Sequence, residues 1–195
     1  VEQRLDPELI AAEVAVRPSE GRIEVEVSYA ETAPLAMARH GRIGRVDLIA
    51  YLPSDVALEA ETDDGALQIR HRRGPIVASS ASGAVQASGA SDLEIRTESG
   101  TVLARRGPGQ PIGRLEVVSN KGDVGVLLPA RADFVLVAEG GAGVQAGPGW
   151  YPEDGVVIPA NTLRWTRQFG KGGREVLVRS RYGITTIGAV ADPGS

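Results

Sequence analysis

The chain has 195 residues, 42% hydrophobic and 24% charged, the composition of a globular chain that can bury a sizeable core in one large domain or two small ones. Its formal net charge of −4 follows no block pattern, and the basic spots His71-Arg72-Arg73 and Arg105-Arg106 are not interleaved with aromatics, which argues against nucleic acid as a partner. The absence of cysteine excludes disulfides, thiolate metal sites and a cysteine nucleophile, and no apolar run reaches the roughly 18 residues of a membrane-spanning helix.

Aromatic residues make up only 4%, against 25 Gly and 12 Pro. A core must therefore come from Val, Ile, Leu and Ala between many tight turns, which is an all-β bias. Val1 to Ile10 read as a polar opening segment with one helical turn at Pro7-Glu8-Leu9-Ile10, since Pro is tolerated at a first helical position. The first residue is Val rather than Met, and removal of an upstream leader, anchor or tag is the expectation. From Ala12 the hydrophobic period becomes two. Val14 and Val16 precede a turn at Pro18-Ser19-Glu20-Gly21, and the return strand sets Ile23, Val25, Val27 and Tyr29 against Arg22, Glu24, Glu26 and Ser28. This pattern predicts an antiparallel hairpin with one wet face. Glu31 to Gly44 reads as a loop. A strand follows from Arg45 to Leu52, and because Ile49 and Tyr51 join Val46, Leu48, Ala50 and Leu52 in being apolar, it is expected to be covered on both faces.

One phrase then recurs: apolar, any, small polar, any, any, Gly, any, apolar. Its copies are Ala60-Thr62-Gly65-Leu67, Ile69-His71-Gly74-Ile76, Ala78-Ser80-Gly83-Val85, Ile95-Thr97-Gly100-Val102 and Val117-Ser119-Gly122-Val124, with a worn sixth at Val178-Ser180-Gly183-Thr185. A strand of about five or six residues and a tight turn account for each step. The glycine is expected to supply the positive φ of the turn, and the hydroxyl three residues earlier to bond turn backbone. Asp92 stands where one glycine would, and Arg105 to Pro111 interrupts the series as a protruding loop. A longer unit also repeats: Leu52-Pro53 leads through Leu58 and Ala60 to Gly65 as Leu128-Pro129 leads through Phe134 and Leu136 to Gly141. After Gly147-Pro148-Gly149-Trp150-Tyr151-Pro152, strands are expected at Val156 to Ile158, Leu163 to Trp165, Glu175 to Arg181 and Ile184 to Ile187, with a loop at Gly170 to Gly173. Steps of this length fit half a coil of a solenoid and equally an antiparallel meander in a sandwich; the two differ in whether Leu67 lies beside Val85 or beside the next strand.

The run from Leu52 to Ile69, the glycine steps and the closing run from Gly170 to Gly188 resemble a bacterial adhesin-type family of β-strand-repeat domains, a domain of unknown function related to GIN-type adhesin head domains. Pro53, Thr62, Gly65, Thr97, Gly100, Ser119, Asn120, Gly122, Gly172, Gly173, Ser180 and Gly183 fall on that family's pattern. The resemblance covers Arg45 to Gly188. It implies a right-handed β-solenoid-like stack of short strands in an extracytoplasmic, envelope-associated bacterial protein, and no known chemistry.

Single residues with chemical potential read as turn residues. His40 and His71 are far apart in sequence and bring no third ligand, Asp63-Asp64-Gly65 lacks the alternating oxygens of a calcium loop, and Ser79, Ser80 and Ser82 lack a nucleophile elbow. Asp92 and Asp133 are isolated acids with no paired partner. No catalytic, metal or cofactor site is expected. Trp150 and Tyr151, adjacent in an aromatic-poor chain, are expected to cap an open end of the stack or to anchor a partner, and Arg105 and Arg106 to make a contact.

The expected organisation is an N-terminal segment and hairpin over 1–44, packed on a strand-repeat domain over 45–190, with a tail at 191–195. The expected function is a non-enzymatic structural or interaction domain outside the cytoplasm, in the periplasm or cell envelope, that binds protein or envelope partners. Its rivals are an accessory subunit docked on the outer face of a larger membrane protein complex and a polysaccharide-active β-solenoid enzyme. An open edge strand can also pair with another copy of the chain.

Overall fold

In the computed structural model the described residues are 2–5, 12–19, 22–29, 46–107, 112–129, 131–147 and 157–190, and they form strands and turns with no helix. The chain divides into two compact units, Val1–Leu52 and Pro53–Ser195.

In the first unit β1 (Glu2–Leu5) pairs antiparallel with β4 (Val46–Ile49), and β2 (Ala12–Ser19) with β3 (Arg22–Tyr29). The β2–β3 hairpin has the register its alternation predicts, with Val14 opposite Val27, Val16 opposite Val25 and Pro18 opposite Ile23. Arg17 and Glu26 on its other face form an ion pair at 2.8 Å. The expectation that the strand after Arg45 is covered on both faces is overturned: Leu48 is 39% exposed, Ile49 38% and Tyr51 78%. A four-residue strand in a two-stranded sheet has too little neighbouring surface to cover both of its faces. The helical turn at Pro7 to Ile10 and the loop at Glu31 to Gly44 lie outside the described residues.

The second unit is built from two sheets that the chain visits in alternation, save for one step near its end where two successive strands lie in the first sheet. The first sheet contains β5 (Leu58–Thr62), β7 (Ile76–Ser80), β9 (Leu93–Thr97), β11 (Leu115–Ser119), β13 (Phe134–Gly140), β15 (Arg164–Phe169) and β16 (Arg174–Ser180). The second contains β6 (Leu67–Arg72), β8 (Val85–Gly89), β10 (Val102–Arg105), β12 (Val124–Pro129), β14 (Gly143–Ala146) and β17 (Ile184–Val190). Apart from β15, every pairing in this unit is parallel, each strand lying beside the strand after next or a later one. Leu67 sits beside Val85, which removes the antiparallel meander, and neither sheet closes on itself. Inward residues repeat in register. Ile76, Leu93, Leu115 and Val176 form one column in the first sheet, and Val85, Val102 and Val124 form another in the second, each residue no more than 3% exposed. Both columns belong to one apolar cluster that fills the space between the sheets. Burial of each such side chain contributes about 1.5–3 kcal/mol.

Spatial order departs from chain order at one place. The sheets run β15-β13-β16-β11-β9-β7-β5 and β14-β17-β12-β10-β8-β6, so the last layer of the chain, β16 with β17, enters between β11–β12 and β13–β14. The sixth copy of the phrase thereby lies directly on the fifth: Val178 beside Val117, Ser180 beside Ser119 and Thr185 beside Val124. The Leu-Pro unit recurs only in part, because β5 and β13 share a sheet whereas β4 stays with β1 and β12 joins the second sheet. The strand expected at Val156 to Ile158 is not formed over the described residues 157 and 158.

Gly65 has the expected positive φ, 144°, but later glycines of the phrase serve another purpose. Gly83, Gly100 and Gly122 do not have positive φ. They stack instead: a Cβ added to each would lie 1.6, 1.8 and 2.0 Å from the carbonyl oxygen of Gly65, Gly83 and Gly100 respectively. Layer meets layer backbone to backbone at this corner, where only glycine fits. Gly100→Ala is therefore expected to lower stability by about 3 kcal/mol, the upper end for an overpacked site, while Gln86→Ala on the exposed face of β8 changes it by less than about 0.5 kcal/mol; urea unfolding midpoints of the two variants check this.

Candidate functional site

At three copies the hydroxyl three residues before the glycine bonds turn backbone, as its position predicts, whereas Ser80 Oγ is buried without a hydrogen-bond partner. Ser119 Oγ accepts the Gly122 N–H at 2.9 Å and donates to the Gly100 carbonyl at 3.1 Å; Ser180 Oγ accepts the Gly183 N–H at 2.8 Å and donates to the Gly122 carbonyl at 2.7 Å. Thr97 Oγ1 donates to the carbonyl of Gly100 at 3.0 Å. Each such serine closes its own turn and ties it to the layer before.

Since these residues point inward, the residues on either side of them point out. One outward row is Glu61, Ser79, Arg96, Val118 and Arg179; the other is Asp63, Ala81, Glu98, Asn120 and Arg181. Between the rows a groove of about 780 Å³ crosses β5, β7, β9, β11 and β16 along the direction of stacking. A smaller recess of about 260 Å³, lined by Glu139, Leu163 and Arg164 among others, shares Arg179 and Arg181 with it. Acid groups dominate the groove at its β5 end (Glu61, Asp63) and guanidinium groups at its β16 end (Arg179, Arg181).

The charged side chains of this face are tied to one another. Arg96 pairs with Glu94 and, at 2.9 Å, with Glu116; Arg114 reaches Glu116 at 2.6 Å and Glu94 at 3.7 Å. Glu139 pairs with Arg179 at 2.5 Å and Arg164 at 3.4 Å. The hydrogen bond from Arg114, supported by Arg96 and opposed by partial burial, holds the Glu116 carboxyl below its ordinary value. In the groove itself Asn120 Nδ2 donates to Glu98 Oε2 at 2.8 Å, and the Arg181 guanidinium lies over the Tyr182 ring at 5.1 Å.

The residues singled out in the sequence fall elsewhere. Trp150 and Tyr151 lie outside the described residues, as do His40 and residues 108–111 of the interrupting loop. Arg105 and Arg106 follow each other on opposite faces: Arg105 is exposed and Arg106 is 0% exposed. The Arg106 guanidinium turns into the second corner, donating to the Ala90 carbonyl and, at 2.7 Å, to that of Ser91. Burial pushes its pKa down, and the nearby Asp92 charge offsets part of that effect. Arg72 does the same one step earlier, donating to the carbonyls of Pro53, at 2.5 Å, and Val56. His71 is exposed at φ 55° in the irregular stretch of β6 between Ile69 and Arg72.

Asp92 and Asp133 are bonded to backbone: Asp92 Oδ1 accepts the Arg114 N–H at 2.6 Å, and Asp133 Oδ1 the Lys171 N–H at 2.7 Å. Asp123, which the sequence did not single out, likewise accepts the Ile184 N–H at 2.8 Å. The Asp133 bond pins the loop at Gly170 to Gly173, which needs glycine at φ 54° and 79° for residues 170 and 172. Ser82 Oγ donates to Asp64 Oδ1 at 2.9 Å, and among the described residues no group of three or more His, Asp or Glu side chains is placed to hold a metal ion. No described helix is long and apolar enough to cross a membrane.

The groove rows were missed in the sequence, although the signal was present. Aligning the copies on their hydroxyl residue puts Glu61, Arg96 and Arg179 one place before it, and Asp63, Glu98 and Arg181 one place after.

Arg106→Met is expected to cost about 3 kcal/mol in urea unfolding, since two carbonyls in a closed corner lose their donors. Arg106→Lys should recover only part of this, because one ammonium does not reproduce the guanidinium fork, and Arg105→Met should be near neutral. For Glu116 the folded-state pKa is depressed, so its stabilisation is full above the unfolded value of about 4.3 and is lost as pH falls through the folded one. Thermal unfolding from pH 7 down to about pH 3 should show a steeper fall for the wild type than for Glu116→Gln, the two curves converging at the acid end. No family model, curated protein or solved structure matches the chain.

Proposed function

We propose that this chain is a non-enzymatic interaction domain, a right-handed β-solenoid-like stack that receives a protein or envelope partner along the groove between its two outward rows. The alternation of strands between two parallel sheets supports the solenoid reading, and the adhesin-type resemblance of Arg45 to Gly188 supports the handedness and a place outside the cytoplasm, in the periplasm or cell envelope. The observation that carries the binding reading is the groove of about 780 Å³, which runs along the stack and is acidic at one end and basic at the other. Polar rows on a rigid sheet present fixed positions to an extended partner at little ordering cost to the domain itself. Within the groove Glu98 accepts the Asn120 amide, and outside it Glu94, Glu116 and Glu139 sit in ion pairs and Asp92, Asp123 and Asp133 accept backbone N–H bonds. Each of these acids is engaged in holding the structure, which supports a binding role over acid–base chemistry.

The double variant Arg179→Glu, Arg181→Glu reverses the basic end without touching the inward columns. It should keep the wild-type melting temperature within a few degrees and weaken retention of a defined partner, isolated from native envelopes on the wild-type domain, by about tenfold or more. Undiminished retention of that partner by the variant would remove the groove as the binding surface. Turnover of a polysaccharide, abolished by substitution of a single acid residue, would replace this reading with an enzymatic one.

A further inference from the structure

Among the described residues the seven-stranded sheet ends at β5 on one side and β15 on the other, each paired with a single neighbour. A terminal strand offers its outer row of N–H and C=O groups to another strand. Neither end is fully covered at the level of side chains. Leu58 and Ala60 on β5 are half-buried, whereas Ile76 and Ala78, their register partners one layer in, are each 1% exposed. At the other end Trp165 is half-buried, and Leu163 just before β15 is 59% exposed.

The two terminal strands carry opposite charge on the same outward face. On β5 the exposed residues are Glu59 and Glu61, and the following turn adds Asp63 and Asp64. On β15 they are Arg164, Thr166 and Gln168, with the Arg164 side chain 70% exposed. Pairing β5 with β5 would set glutamate near glutamate, which is destabilising across a strand pair, and an antiparallel β15–β15 pair would set Arg164 opposite Gln168, with no acid to meet it. Pairing β5 with β15 is complementary. Register adds specificity: the outward row that starts at Glu61 on β5 passes through Arg179 and Glu139 and ends at Arg164 on β15. The next position along that row is where a second copy would place its own Glu61.

We propose that copies of this chain associate head to tail through the edges of this sheet, β15 of one beside β5 of the next, with Arg164 facing the neighbour's Glu61. The contact is heterologous, so it extends into a row of copies rather than closing as a two-fold dimer. It takes up Glu61 at the acidic end of the groove and leaves Arg179 and Arg181 at the basic end to the partner, so the Arg179 and Arg181 variants test one reading and the Arg164 variants the other.

Sedimentation of the full chain over a concentration series at low salt tests this. The expected result is a mass that keeps rising past the dimer, and that falls back when salt screens the edges. Glu61→Arg and Arg164→Glu should each move the association to about tenfold higher concentration, and the double variant E61R/R164E should return it to within about threefold of wild type. Melting curves show whether each variant is folded. Should a reversal variant unfold, Glu61→Gln and Arg164→Gln decide, each weakening association by a smaller factor. A chain that stays monomeric throughout, a closed dimer, association insensitive to these substitutions, or a double variant that does not recover would each overturn the proposal.

Discussion

The contact on which the second unit depends is the approach of one glycine to the carbonyl of the glycine a layer below. At Gly83, Gly100 and Gly122 that approach leaves no room for a Cβ. Two consequences follow from so close a stack of turns. The carbonyls on the inside of the corner are removed from water and need donors, which Ser119 and Ser180 supply through hydroxyls that also accept the N–H of their own glycine. The layers also cannot slip in register, because a shift by one residue would bring a side chain into the column and turn every inward Val, Ile and Leu to solvent. Strand length, layer spacing and the position of the outward rows are all set at this one corner.

The opposite corner meets the same demand with different chemistry. Its turns are irregular, and their carbonyls are reached by long side chains rather than by neighbouring hydroxyls. Arg72 bonds the loop before β5, and Arg106 the turn between β8 and β9. Gly89, which stands beside Arg72 in the register between β6 and β8, has no side chain to compete for the space. A buried guanidinium is costly to desolvate, as the downward pull on the Arg106 pKa records, yet arginine stays protonated at any ordinary pH. What keeps it inside is the number of its donors: a planar group with several N–H bonds can serve two carbonyls at once, which no neutral side chain of that reach can do.

Much of this architecture was legible because it is written in repetition. The phrase located the strands from β5 to β12, identified the hydroxyl's task, and marked Val178-Ser180-Gly183 as a layer of the same kind before its neighbour was known. The positive φ expected of the glycines holds at Gly65 and not at Gly83, Gly100 and Gly122, since a tight turn and a close approach both call for glycine and only φ separates them. Arg106 was misplaced because one-residue alternation decides which of two adjacent arginines faces inward, and the broken phrase left that parity open. The insertion of β16 and β17 was hidden for a different reason: pairing between segments so far apart in sequence leaves no local pattern. The aromatic packing of Phe134, Phe169 and Trp165, with the phenyl rings 4.6 Å apart and the indole 6.3 Å from Phe169, was also missed, its three members being scattered along the chain.

That insertion sets Ser180 directly on the turn of Ser119 and puts a layer without the hydroxyl outside it. On β13 the residue in register with Ser180 is Gly140, which has no hydroxyl to pass the column on, although the Gly141 N–H still bonds the Ser180 carbonyl at 2.9 Å. A layer of this kind can receive a neighbour on one side and cannot offer the same interlock on the other. Placed directly after β11–β12, it would have ended the column one layer early and left Ser180 without a continuation. Placed outermost, it lets Ser180 dock on Gly122 and gives its own free side to β15, which runs antiparallel and brings Phe169 and Trp165 over the end of the core. The turns that carry a hydroxyl thus lie together in space, although β13 and β14 separate them along the chain.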